Sequence, residues 1–187
     1  MTAPDTPQQH LSCACCADLL RRRFDRRHFL LMAGATGLAA TLPFPAPAAE
    51  GNYEAMVLYC IDPRFVEPVR SYTNERGLTG KFSQFVIAGA AIGVVAPKFK
   101  NWHPAFWDNL AASIQLHRIP KVIAIDHRDC GAAKIAYGAA AVADPAIETE
   151  THRAALAAFR RQVARRHPKL AVETGLMALD GKVELLG

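Results

Sequence analysis

Three short apolar runs stand out along the chain, and each has the length of a β-strand. They cover residues 55–60, 82–87 and 121–126, and the last is rich in β-branched side chains. Runs that are apolar on both faces are typical of parallel strands buried between two layers of helices. The pattern therefore predicts a parallel sheet that is covered on both faces.

Helical patterns separate these runs. Asp62 and Pro63 predict a helix start, because a capping carboxylate precedes a proline at the first helical position. Val66, Val69 and Tyr72 then follow on one predicted apolar face. Two more amphipathic helices are predicted, one over the residues Phe106, Leu110, Ile114 and His117 and one over residues 151–166.

The end of the chain has a different pattern. Residues 171–179 and 182–186, joined by Asp180 and Gly181, predict a closing hairpin. Residues 138–149 have no clear periodicity and are predicted to form a loop near the site. The order of elements predicts an α/β fold: a mostly parallel central sheet with helices on both faces and a closing C-terminal hairpin.

The first 48 residues have the pattern of an export signal. Arg26 and Arg27 stand directly before an apolar run at 29–42, which is too short to span a bilayer comfortably. The pair resembles the twin-arginine motif, and small residues at 46 and 48 predict cleavage after residue 48. We therefore predict a leader over 1–48, a domain over 49–187 and a periplasmic location. An ordinary Sec signal and an uncleaved membrane anchor are the alternatives.

The cysteine positions and the net charge limit which functions the chain can have. Cys13, Cys15 and Cys16 fall within the predicted leader and are assigned no role, whereas Cys60 and Cys130 lie in the predicted domain. The hydrophobic share of 51% is typical of a globular protein. The net charge of +5 at pH 7, part of which comes from the leader, is too small to predict nucleic-acid binding.

Side chains that can bind a metal ion follow two of the predicted strands. Cys60 ends the first run, His127 directly follows the run at 121–126, and Cys130 lies in the next turn. Ligands of such sheets bind at the carboxyl ends of the strands. If these two strands are neighbours, two thiolates and one imidazole converge. Three protein ligands with an open fourth position are typical of a catalytic zinc site.

The same residues carry a resemblance to a known family. Residues 60–64, Cys-Ile-Asp-Pro-Arg, resemble the Cys-x-Asp-x-Arg motif of the β-class carbonic anhydrases. Residues 127–131, His-Arg-Asp-Cys-Gly, resemble their His-x-x-Cys-Gly motif, and the interval between the two motifs is close to that of the family. The likeness covers about residues 56–185. Pro63 differs from the small polar residue that is usual there.

This resemblance implies a site and a reaction. Cys60, His127 and Cys130 would bind one zinc ion per chain, and Asp62 and Arg64 would form a catalytic pair. The implied reaction is reversible hydration of carbon dioxide to bicarbonate by a zinc-bound hydroxide that Asp62 orients. In a resting form Asp62 would itself bind the zinc. The implied partners are the small substrate and a second copy of the chain, with no nucleic acid and with membrane contact only through the leader.

Other interpretations are open on the sequence alone. The domain is also interpretable as an inactive zinc-binding protein of the same fold, or as a hydrolase of carbon disulfide or carbonyl sulfide. Cys60 and Cys130 would form a disulfide in an oxidising envelope, and Asp62 has an alternative role as a simple helix cap. Six polar residues are predicted to be solvent-exposed, packing or peripheral: Arg128, Asp129, His103, His117, His152 and His167.

Overall fold

The computed structural model describes residues 53–186. The predicted leader at 1–48 therefore lies outside the described residues, together with its arginine pair and its three cysteines. Within residues 53–186, no helix combines the length and the apolar character needed to cross a membrane.

A five-stranded sheet forms the centre of the described part. Its strands are β1 (Ala55–Tyr59), β2 (Phe82–Val86), β3 (Lys121–His127), β4 (Ala171–Met177) and β5 (Val183–Leu185). The spatial order is β2-β1-β3-β4-β5, and only the β4–β5 pair is antiparallel. The predicted α/β fold with a mostly parallel sheet and a closing hairpin is confirmed.

Five α-helices connect or follow these strands within residues 53–186. They are α1 (Val66–Glu75), α2 (Ala91–Val95), α3 (His103–His117), α4 (Gly131–Tyr137) and α5 (Pro145–Arg166). Short 3₁₀ turns precede α1, α3 and α5, at Pro63–Phe65, Pro97–Trp102 and Ala139–Val142 respectively.

The helices cover both faces of the central strands. Val57 and Ile125 pack with the buried residues of α1, whereas Leu58 and Ala124 pack with those of α3 and α5. Successive side chains of a strand point to opposite faces, so a strand buried on both sides must be apolar throughout. The continuous apolar runs of β1 and β3 follow from that requirement.

The burial of β2 and of α1 differs from the sequence prediction. The edge strand β2 is only half covered, and Gln84 and Val86 are exposed on it. On α1 the buried residues are Val69 and Thr73, whereas Val66 is exposed. The reason is that the preceding 3₁₀ turn already points Phe65 into the core, which leaves Val66 on the outer side of the first turn.

The predicted loop at 138–149 was wrong for most of its length. It holds a 3₁₀ turn and the first turn of α5, which begins at Pro145 and not at residue 151. Asp144 caps this helix by accepting from the backbone N–H groups of Ala146 and Ile147. A capping carboxylate before a proline is the start signal that also begins the Pro63–Phe65 turn.

Candidate metal centre

Cys60, His127 and Cys130 converge at the carboxyl end of the sheet. Their ligand atoms all lie within 4.8 Å of one another, and all three residues are buried. Cys60 directly follows β1, His127 is the last residue of β3, and Cys130 is the N-cap of α4. Because β1 and β3 are adjacent and parallel, with Tyr59 opposite Ile125, both strands deliver their ligands to one point.

The imidazole of His127 is oriented by two neighbours. Its Nδ1 donates to the Arg128 carbonyl oxygen at 2.8 Å, and its ring lies against Phe65 with the ring centroids 4.0 Å apart. With the proton assigned to Nδ1 by this bond, Nε2 carries the lone pair. Nε2 is buried and has no hydrogen-bond partner among the described residues. A metal ion bound at this nitrogen would satisfy it.

The two thiols form a coupled pair. Both cysteines are free, so the disulfide alternative is not realised in the structure. The hydrogen bond from Cys130 lowers the pKa of Cys60 to about 4 despite burial, and the Gly89 N–H assists by donating to the Cys60 sulfur at 3.2 Å. The same partnership raises the pKa of Cys130. The contact between the two sulfurs therefore favours the thiolate form of one of them, which is the form in which cysteine binds metal.

The Asp62–Arg64 pair lies beside this cluster. Arg64 Nε and Nη2 donate to the Asp62 carboxylate at 3.0 and 2.7 Å, and the Arg64 backbone N–H donates to Asp62 Oδ1 at 3.0 Å. These contacts with Arg64 lower the pKa of Asp62 to about 2. Asp62 is thus a helix cap and a partner of Arg64 at once, and it remains ionised at neutral pH.

Arg64 also joins the two loops that hold the cluster. Its Nη1 donates to Asp129 Oδ2 at 2.7 Å, and its Nη2 donates to the Asp129 carbonyl oxygen at 3.1 Å. Asp129, predicted to be solvated or peripheral, lies between His127 and Cys130 in the chain. One guanidinium therefore ties the loop after β1 to the loop after β3.

Sequence reasoning missed the contribution of α5 to the His127–Cys130 loop. Glu148 is buried and accepts from the Asp129 backbone N–H at 2.6 Å and from Arg128 Nη1 at 3.3 Å. It falls in the segment that was predicted to be a loop. The Asp144-Pro145 start signal would have placed Glu148 in the first turn of a helix.

The sequence analysis also missed a buried pair formed by Asp126 and His152. His152, predicted to be a surface or packing residue, is fully buried, and its Nδ1 lies 2.9 Å from Asp126 Oδ2. A carboxylate at the end of an otherwise apolar buried strand was the available signal, because such a group needs a partner. Of the other histidines, His103 contacts the Ala96 carbonyl and His117 contacts Ser83.

The cluster fits a zinc ion by the nature of its donors. Two cysteine sulfurs and one imidazole nitrogen form a ligand set found in catalytic zinc sites, in which the fourth position is left for water or substrate. The His127 Nδ1–H also donates to a backbone carbonyl. In metal sites, a hydrogen bond of this kind from the second ring nitrogen sets the tautomer and the orientation of the imidazole. An open cleft of about 310 Å³ borders Cys130 and is lined by both charged and apolar residues, among them Arg128, Lys134, Val142 and Leu179.

Proteins of two Rickettsia species resemble the chain in sequence. An uncharacterized protein of Rickettsia conorii is 31% identical over 129 residues, which are 69% of this chain and 69% of that protein. An uncharacterized protein of Rickettsia bellii is 30% identical over 129 residues, which are 69% of this chain and 79% of that protein. No protein-family model matches the chain.

Solved structures resemble the chain in fold. A tetrameric β-carbonic anhydrase of Sordaria macrospora has a TM-score of 0.50 at 17% identity, covering 86% of this chain and 96% of that one. The β-carbonic anhydrase of Coccomyxa, in complex with acetazolamide, has a TM-score of 0.50 at 15% identity, covering 88% and 86%. The chain therefore belongs to one family with the two Rickettsia proteins, and its fold is that of the β-carbonic anhydrases.

Proposed function

We propose that the chain is a zinc-dependent enzyme that catalyses the reversible hydration of carbon dioxide to bicarbonate. One observation carries this proposal: two thiols meet a histidine nitrogen that has no hydrogen-bond partner within residues 53–186, beside an ionised carboxylate that an arginine holds in place. In the proposed site Cys60, His127 and Cys130 bind one zinc ion per chain.

The residues around the ion have separate tasks. When bound, zinc supplies Lewis acidity that lowers the pKa of water to about 7. Asp62 accepts a hydrogen bond from the oxygen that attacks carbon dioxide and turns a lone pair of that oxygen toward the carbon. A carboxylate offers about four acceptor sites. Arg64 reaches it through three N–H groups, the backbone N–H, Nε and Nη2, of which Nε is shared between both oxygens, so one acceptor site stays available. Arg64 fixes the direction of this remaining site.

Metal analysis of the purified chain tests the metal site. We expect about one zinc per chain and its loss in His127→Ala and in Cys130→Ser. His167→Ala is the matched control, because His167 lies at the far end of α5. Full zinc retention in either ligand variant removes that residue from the proposed site.

Stopped-flow hydration of carbon dioxide tests the reaction. The zinc-loaded chain should accelerate hydration, and Asp62→Asn should reduce the rate while the zinc content stays the same. Zinc binding without any hydration activity would indicate the alternative, an inactive zinc-binding domain. Hydrolysis of carbon disulfide or carbonyl sulfide in its place would indicate the second alternative.

The proposal includes export and assembly. The arginine pair at Arg26 and Arg27, directly before the apolar run, supports transport of the folded protein to the periplasm by the twin-arginine route, with cleavage after residue 48. The Sordaria macrospora neighbour is tetrameric. This supports self-association of the present chain, of which a homodimer is the simplest form.

A further inference from the structure

A carboxylate and an imidazole are buried together behind the candidate metal centre. The side chains of Asp126 and His152 are both fully buried, and His152 Nδ1 lies 2.9 Å from Asp126 Oδ2. His152 Nε2 has no hydrogen-bond partner within residues 53–186, so Asp126 is the polar group that holds this ring. Burying such a pair is costly, and this cost calls for a structural or functional reason.

The second carboxylate oxygen of Asp126 holds the turn that contacts Cys60. Asp126 Oδ1 accepts from the Ala91 backbone N–H at 2.9 Å. Ala91 is the first residue of α2 and directly follows a tight turn at residues 88–90, in which Gly89 donates its own N–H to the Cys60 sulfur at 3.2 Å. The turn therefore connects the Asp126 carboxylate to a candidate zinc ligand.

The backbone of this turn is strained. Ala90 lies between the Gly89 and Ala91 N–H donors and is fully buried. Its φ of 48° and ψ of −114° form a backbone conformation that residues other than glycine rarely adopt. Such strain persists only where surrounding contacts hold it, and it is common at functional sites. The bond from Ala91 to Asp126 is a contact of that kind.

We infer that Asp126 and His152 are positioning residues. His152 holds the Asp126 carboxylate, Asp126 holds the Ala91 N–H, and the strained turn then keeps the Gly89 N–H on the Cys60 sulfur. This inference rests on the proposed function for the presence of zinc at Cys60. Mutation of a residue that hydrogen-bonds a metal ligand typically lowers the metal affinity by about 10–100-fold.

Zinc affinity of the full chain, measured by competition with a chelator, tests the inference. We expect His152→Leu, which removes the partner of Asp126, to weaken zinc binding about 10-fold. His152→Gln keeps an N–H that can reach Asp126 and should largely preserve the affinity. Ser113→Ala is the control, because Ser113 is a buried polar residue of α3 outside these contacts. Circular dichroism checks that each variant is folded.

Asp126→Asn is a second variant of nearly unchanged shape. The amide oxygen of asparagine can still accept from Ala91, but its NH₂ group can bond to His152 Nδ1 only if the imidazole moves its proton to Nε2, which is buried without a partner within residues 53–186. We expect a similar loss of zinc affinity and a shift of the sulfur-to-cobalt charge-transfer band in the cobalt-substituted chain. Ala90→Gly, which relieves the backbone strain, should restore part of the affinity lost in His152→Leu.

A readout without metal completes the test. In the metal-free chain, the Gly89 and Ala91 amides should exchange with solvent faster in His152→Leu than in the parent and in Ser113→Ala. If the parent binds zinc and the variants bind it equally, with unchanged cobalt spectra, the positioning role is overturned and the zinc site stands. If the parent binds no zinc, the proposed function fails, and the inference fails with it.

Discussion

Gly89 offers a sharp test of how the 88–90 turn is packed. Its φ is +79°, and a Cβ built on it would lie 2.9 Å from Ala132 Cβ and 3.2 Å from Ile92 Cβ. Gly77 is a matched control, because its φ is +66° but a Cβ there meets nothing within 4 Å. Comparing Gly89→Ala with Gly77→Ala separates the cost of packing from the cost of backbone conformation.

The magnitudes follow from these contacts. A residue other than glycine in the left-handed region costs about 1–2 kcal/mol in either variant. The entropy that alanine removes from the unfolded chain is the same in both and cancels in the difference. Only Gly89→Ala adds overpacking, which costs about 1–3 kcal/mol and is not relieved by a flexible side chain. We therefore expect Gly89→Ala to be more destabilising than Gly77→Ala by about 1–3 kcal/mol.

Urea unfolding followed by circular dichroism, with chelator present, measures these free energies. The zinc affinity of each variant is then compared, because a displaced Gly89 can no longer donate to the Cys60 sulfur. Gly89→Ala should bind zinc more weakly than the parent, and Gly77→Ala should bind it as well as the parent. Equal destabilisation in the two variants would refute the packing argument, and unchanged zinc binding in Gly89→Ala would refute the role of its N–H.

Three further predictions concern export, helix capping and charge. Replacing Arg26 and Arg27 by lysine should stop the processed domain from reaching the periplasm, as judged by immunoblotting of cell fractions; undiminished export would favour the Sec route. Asp144→Ala should lower the free energy of unfolding by about 1 kcal/mol, because two N–H groups of α5 lose their cap; an unchanged urea midpoint would contradict this. Arg76 lowers the pKa of Glu173, so the stabilisation is present above the ordinary glutamate pKa and is lost as pH falls through the lowered value. Glu173→Gln should therefore destabilise the chain at pH 7 and have little effect in strong acid; an equal effect at both pH values would contradict the assignment.

The order of the strands and of the three longer helices was predictable because the signals are local, whereas the short helices α2 and α4 were not predicted. The apolar runs of β1 and β3 must be apolar on both faces, since helices cover both, and the two motifs place cysteine and histidine at the ends of those strands. Capping chemistry is local too. Asp62-Pro63 gave the start of its turn correctly, and Asp144-Pro145 carried the same information although the prediction did not use it.

The sequence alone therefore determined the α/β fold class and the candidate ligands Cys60, His127 and Cys130. The tertiary structure decided that β1 lies next to β3, which brings these ligands together. It also decided the pairing of Asp126 with His152 and of Asp129 with Glu148, residues 26 and 19 positions apart. Local sequence patterns report the burial of a residue, but they do not report which distant element covers it. Partners of buried polar groups are set by how α5 crosses the sheet, and this depends on the packing of the whole domain.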